Sequence, residues 1–408
     1  MAVLFLVLLL GLSIFHMGLF VWVIFKHFLT TDVPSALQHP VKLRFLHCFF
    51  LYVTTLGNML EKMRICSMPR FVRFVHDIMS EKKKDPRVMV TDLQFGTIPV
   101  RLFQPKATSC SSRRGIIFYH GGAAVFGSLN MYHNLCIFLT WKTDSVLLCV
   151  GYRKLPDHHY PVITKDCLNA TIHFLKSLET YGVDPSRVVV CGESAGGLTA
   201  AQITQILVAQ RDLPKIRAQV LIYPVIQGVN YQLPSTQQNQ NVPFLTRDFM
   251  LTCVCRYMAI DLSWKDVMLK GAYIPPETWK KYRKWLSSEN ISKNLKNKDL
   301  EPQFPGPFNE AAYLETKHLL DVENAPLLAD DETIAQLPEA FLVSCENDVL
   351  RDHTLLYKKR LEDQGVPVSW YHVEDGFHGC AAFLNMKSFS FPCSMKILNA
   401  VASYVKSI

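Results

Sequence analysis

The sequence predicts an α/β fold built on a mostly parallel central sheet, with a mainly helical cap and an N-terminal transmembrane helix. Three observations carry this. From about Val88 onward, short β-branched and aromatic runs alternate with longer helical patterns, which is how βαβ units read. Several of the short runs, Val188-Val189-Val190-Cys191 among them, are apolar without alternation, as strands covered on both faces require. Residues Ala2 to Phe25 carry no charged side chain. As a helix they would rise roughly 36 Å, more than the ~30 Å hydrocarbon core of a bilayer.

The first segment, 1–25, reads as an uncleaved anchor. A cleaved signal peptide needs a basic start, a shorter apolar run and a small-x-small cleavage site, whereas this start holds no Lys or Arg. His16 is the strongly polar interruption and is expected to be a tolerated neutral side chain. Lys26, Lys42 and Arg44 follow the span and would hold the large domain in the cytoplasm. Two sequons, Asn169-Ala170-Thr171 and Asn290-Ile291-Ser292, have meaning only on the luminal side. The apolar stretch Phe45 to Leu56 is too short for a comfortable span and is expected to be a buried or interfacial helix within a cap segment, 26–87.

The core then begins. Strands are expected at Val88–Phe95, Val100–Gln104, Gly115–Tyr119, Ser145–Gly151, Arg187–Gly192, Ala218–Tyr223, Ala340–Cys345 and Pro367–His372. Helices are expected at Pro161–Tyr181, Ala195–Gln210, His353–Gln364 and Cys393–Lys406. The rhythm breaks from about Gln227 to Val322, where prolines and helical pieces replace strands. This divides the core into 88–226 and 323–408, with a cap insertion over 227–322.

Composition narrows the function classes. The 408 residues are 49% hydrophobic with a net charge of +8. The positive charge is scattered, apart from Lys82-Lys83-Lys84, which reads as a solvated loop. No basic stripe is interleaved with aromatics, which argues against nucleic-acid binding. The twelve cysteines contain no CxxC pair, so neither a zinc site nor a dense disulfide framework is indicated.

The chemistry centres on Gly192-Glu193-Ser194-Ala195-Gly196. A G-x-S-x-G arises by chance in roughly one chain in seven of this length, so context decides. A strand precedes it and a helical pattern follows, the setting that forces a serine into a strained turn with its Oγ exposed. A serine hydroxyl needs a base, and the base needs an orienting acid. In this setting the partners follow in the order acid, then His. His378 lies in Asp375-Gly376-Phe377-His378-Gly379, just after a strand, and is the expected base. Glu346, Asp348 and Asp352 all follow the strand ending at Cys345. Asp348 is the expected acid, and Asp352 reads as a cap for the helix near His353. Acyl transfer also requires N–H donors for an oxyanion. Ala195 supplies the helix-side donor, and Gly121 and Gly122 of "HGG" are the expected others, with His120 bracing their loop. This chemistry calls for no metal and no cofactor.

With "HGGA", "YRKLPDHHYP" in place of a Y-R-L-A-P-E-type run, "GESAGG", "PLLADD", "NDVLRD" and "DGFHG", the chain resembles the hormone-sensitive-lipase branch of the α/β-hydrolase fold, and more closely the arylacetamide deacetylase-like proteins. The resemblance covers nearly the whole chain, anchor included. It implies Ser194 as nucleophile, Asp348 as acid and His378 as base, with donors at Gly121, Gly122 and Ala195. It also implies an endoplasmic-reticulum membrane protein of type II topology with a luminal catalytic domain, which agrees with the sequons. The expected substrates are lipophilic esters or amides, met at the membrane lipid bilayer. Three departures stand out: Ala123 replaces the usual third glycine, Ala124 replaces a bulky aromatic, and Glu193 stands where Asp is frequent. The rival expectation is a catalytically silent protein of the same fold that binds hydrophobic ligands.

Overall fold

The computed structural model describes residues 1–109, 111–291, 304–384 and 390–408. Eight strands form one sheet: β1 (Val88–Phe95), β2 (Ile98–Pro105), β3 (Arg113–Tyr119), β4 (Ser145–Val150), β5 (Val183–Glu193), β6 (Ala218–Ile222), β7 (Glu339–Asn347) and β8 (Val368–Phe377). Their spatial order is β1-β2-β4-β3-β5-β6-β7-β8. Only β2 runs antiparallel to its neighbours β1 and β4. Edge strand β1 is largely exposed between its buried ends, whereas every residue of β4 and β6 is buried. That contrast follows from helices covering both faces of the parallel region and leaving the edge in water.

The C-terminal ends of three strands fall beyond the expected ones, and this matters for the site. β5 continues to Glu193, β7 to Asn347 and β8 to Phe377. Ser194, Asp348 and His378 are therefore each the first residue past a strand of the parallel half. In open α/β sheets this carboxyl edge is where side chains converge on a crevice.

Helices sandwich the sheet. After the N-terminal helices α1 (Ala2–Thr30), α2 (Pro40–Lys62) and α3 (Met68–Met79), the core contains α4 (His133–Thr143), α5 (Val162–Lys176) and α6 (Ala195–Val208). The insertion holds α7 (Pro234–Gln238), α8 (Arg247–Met258), α9 (Lys265–Leu269), α10 (Pro276–Leu286) and α11 (Glu310–Thr316). The chain closes with α12 (Asp331–Ala335), α13 (Arg351–Glu362) and α14 (Pro392–Ser407). Among the described residues, 227–322 contain no strand. The expected helices all form, with ends shifted by at most five residues. Helix α4 was not expected. Its run Leu135-Cys136-Ile137-Phe138-Leu139 is buried throughout, so it shows no helical periodicity in sequence.

Helix α1 runs five residues beyond the expected anchor and is apolar enough to cross a membrane, with a mean hydropathy of 2.5 and 6% of its apolar window buried. The stretch expected to be too short for a span is part of the 23-residue α2, which also reaches membrane-crossing length at a lower hydropathy of 1.2. A third of the apolar window of α2 is buried. It folds back along α1, so that His27 Nδ1 meets His47 Nδ1 at 2.8 Å and His16 is hydrogen-bonded to Tyr52. His16 is thus a partnered side chain.

The cysteines behave as apolar fillers. All eleven in the described residues are free thiols, nine of them buried; Cys110 lies outside the described residues.

Candidate active site

The turn from β5 into α6 places Ser194. Its backbone sits at φ 56° and ψ −119°, a region that costs a non-glycine residue about 1–3 kcal/mol. Surrounding contacts hold it there. The Ser194 N–H donates to Ile222 O on β6 at 2.9 Å, and its carbonyl accepts from Gly197 N–H at 2.9 Å. The turn is tight enough that a Cβ on Gly192 would lie 2.0 Å from Gly196 O, and one on Gly196 would lie 2.0 Å from Tyr119 O. Both positions therefore require glycine for close approach, as the motif anticipates.

The three strand ends meet here. Ser194 Oγ lies 2.7 Å from His378 Nε2, and His378 Nδ1 lies 2.8 Å from Asp348 Oδ2. The other oxygen of Asp348 accepts from Leu350 N–H at 2.8 Å. All three residues are buried. The carboxylate accepts only, so His378 Nδ1 carries a proton and the neutral ring presents Nε2 as an acceptor toward Ser194. Burial disfavours the imidazolium, but Asp348, with a smaller effect from Glu193, more than offsets this, and the net effect raises His378 above its ordinary 6.5.

The competing carboxylates are engaged elsewhere. Glu346 pairs with Arg351 at 2.7 Å and His372 at 3.0 Å. Asp352 lies within the first turn of α13, where it accepts from Ser235 N–H of α7 at 2.6 Å. Its expected capping role therefore does not hold: the position ahead of the helix is Leu350, and Asp352 ties the cap to the core. Ser235 Oγ also donates to Val349 O, and Asn239 Nδ2 donates to Asp348 O at 3.1 Å. These cap residues hold the loop of the acid, and nothing in the sequence singled them out.

The "HGG" loop follows β3. Gly122 has φ 109°, while Ala123 and Ala124 follow in the left-handed region. Glu193 lies buried under this loop, accepting from Tyr132 Oη at 2.5 Å. A Cβ on Gly121 would fall 1.9 Å from Glu193 Oε2. The Gly121 backbone therefore packs directly against the Glu193 carboxylate. Ala123, Ala124, Ser194 and Ala195 border a cavity of about 110 Å³. The cap closes it with Met250, Val254 and Tyr257 of α8, and Gln227 and His353 form part of the wall. His353 accepts from Ile226 N–H at Nδ1, and burial pushes its pKa down to about 3. A sequence reading passes over it because it looks like an ordinary helix residue. Segment 26–87 does not reach the cavity; it supports the site from behind, with Arg73 donating to Val125 O at 2.9 Å.

Of the two sequons, Asn169 is exposed on α5. Asn290 is half-buried and donates to Lys284 O, and its Ser292 lies outside the described residues.

The chain as a whole is similar to known proteins. A family model described as the alpha/beta hydrolase fold covers residues 116–277 and 279–382. Human arylacetamide deacetylase-like 4 is 69% identical over 408 residues, all of both chains. The chain belongs to the arylacetamide deacetylase-like α/β hydrolases. Among other relatives of this α/β hydrolase, mouse arylacetamide deacetylase is 34% identical, covering 90% of this chain and 93% of that one. Bovine neutral cholesterol ester hydrolase 1 is 31% identical, covering 93% and 95%. The thermophilic carboxylesterase EstE1, from a metagenomic library, shares the fold with a TM-score of 0.63 at 22% identity, covering 83% of this chain and 96% of that one.

Proposed function

We propose that this α/β hydrolase is a membrane-anchored serine hydrolase that cleaves carboxylic esters, and amides of similar shape, through an acyl-enzyme. The observation that carries this is the continuous relay Ser194 Oγ–His378–Asp348, at 2.7 and 2.8 Å, opening on an apolar cavity. His378 takes the Ser194 proton as Oγ attacks the carbonyl. Asp348 holds the tautomer and stabilises the imidazolium. His378 then protonates the leaving alcohol or amine, and a water repeats the sequence to release the acid. Gly122 and Ala195 supply oxyanion N–H groups. Gly121 packs against the Glu193 carboxylate, so Ala123, which borders the cavity, takes its place as the second donor of the loop. The names of the relatives support this reading, since they act on arylacetamides and on cholesterol esters.

The apolar wall favours neutral, lipophilic substrates. An apolar cavity of about 150 Å³ takes a benzene ring, so the enclosed interior here suits a compact acyl group. Helix α1 anchors the protein, and we place the domain in the endoplasmic-reticulum lumen, with exposed Asn169 as the favoured glycan acceptor. A fluorophosphonate probe tests the reading. It is expected to label the detergent-solubilised full-length protein once, on the peptide containing Ser194. Neutral p-nitrophenyl butyrate should protect against labelling at lower concentration than an anionic ester of similar size. Absence of labelling in folded protein would favour the silent ligand-binding alternative, and stronger protection by the anionic ester would remove the lipophilic assignment.

A further inference from the structure

Lys154 stands where the resembled run has an aliphatic residue, on the loop after β4. Its ammonium is turned inward. Nζ lies 3.2 Å from His120 Nε2 and donates to Gly127 O at 3.1 Å. His120 is fully buried, stacked on Tyr152 with ring centroids 4.2 Å apart. His120 Nδ1 lies 2.8 Å from Gly121 O. Tyr152 Oη donates to His120 O at 2.6 Å.

These contacts have one consistent protonation pattern. Gly121 O accepts only, so His120 Nδ1 carries the proton. Nε2 of the neutral ring is then an acceptor, and Lys154 is its donor. Burial, and then the charge of Lys154, hold the His120 ring well below its ordinary 6.5, in keeping with a neutral imidazole. The geometry continues through the backbone. In a trans peptide the carbonyl of one residue and the N–H of the next point in opposite directions. Pinning Gly121 O to His120 therefore aims Gly122 N–H the other way. The peptide before it is held at its carbonyl, where His120 O accepts from Tyr152 Oη.

We propose that Lys154 is a positioning residue for catalysis: by donating to His120 Nε2 and Gly127 O it fixes the His120 tautomer and so the direction of the Gly122 oxyanion donor. This rests on the serine-hydrolase reading above. A residue that aims a donor acts where charge develops, in the transition state, and not on the bound ester.

The test compares wild type, K154M, K154Q and S194A as detergent-solubilised full-length proteins on p-nitrophenyl butyrate. Losing one oxyanion donor outright costs about 10²–10³ in kcat. Misaiming one should lower kcat about 10- to 100-fold in K154M, with KM within about twofold. Affinity for a trifluoromethyl ketone, which forms a tetrahedral oxyanion on the serine, should weaken by the same factor as kcat/KM. K154Q is too short to bridge to His120; it should show the same losses and serves where Met is not accommodated. A folded variant with wild-type kcat and wild-type ketone affinity overturns the proposal, as does a rise in KM at unchanged kcat. Turnover surviving in S194A would instead overturn the serine-hydrolase reading, whatever Lys154 does.

Discussion

Replacing Ser194 with Ala is expected to lower kcat on p-nitrophenyl butyrate by about 10⁶-fold, the loss seen when the nucleophile of such a relay is removed. The reason is local. Ser194 Oγ is the atom that His378 Nε2 faces at 2.7 Å, and a methyl group has no proton to give and no lone pair to attack with. The backbone at this turn is set by its bonds to Ile222 and Gly197, which a Cβ-bearing alanine keeps. The fold should therefore survive, with the thermal midpoint moving by only a few degrees. A trace of activity above water would remain, because the oxyanion donors and the cavity still bind and polarise the ester. A variant that keeps one tenth of the wild-type rate would show that another group performs the attack.

Asp348→Asn is expected to lower kcat about 10⁴-fold while leaving the geometry in place. The amide oxygen can still accept from Leu350 N–H, as Asp348 Oδ1 does at 2.8 Å. That leaves the amide NH₂ facing His378 Nδ1. The ring must then present Nδ1 as an acceptor and carry its proton on Nε2, the tautomer that cannot take a proton from Ser194. The pH profile gives a second readout. His378 must be neutral to act as base, so activity falls as pH drops through its pKa. In the wild type burial lowers that pKa and Asp348 raises it further, so the acid limb of kcat/KM should lie above 6.5. In D348N the main raising charge is gone while burial stays, leaving only the smaller effect of Glu193, and the limb should move to lower pH. A limb that stays in place would mean that Asp348 does not face the catalytic histidine in solution.

Much of the fold could be read from the chain because the relevant physics is local. Runs such as Ser145–Val150, buried on both faces, announce themselves as strands without any partner in view. The same holds for Gly192-Glu193-Ser194-Ala195-Gly196. A turn that seats a serine between a strand and a helix needs small residues at both ends, and those needs are written in five consecutive letters. The order of Ser194, Asp348 and His378 follows from the order in which β5, β7 and β8 deliver their ends. The membrane-crossing character of α1 likewise rests on length and hydropathy alone.

What stayed hidden depends on residues far apart in sequence. The sequence pointed to Asp348 as the acid, but what Asp352 does instead was invisible there: Ser235, over a hundred residues earlier, takes its carboxylate. The close approach of Glu193 to Gly121 arises only because β3 and β5 are neighbours. Lys154 reads as a surface lysine until the chain brings it to His120 and Gly127. The extent of α2, and the fact that the cavity wall comes from α8 and not from 26–87, are likewise products of packing. Backbone propensity and apolar period are properties of a short window and can be read in one dimension. The direction of a hydrogen bond depends on which distant group arrives at a given point, and that is settled when the sheet assembles and its carboxyl edge brings separate loops within 3 Å of one another.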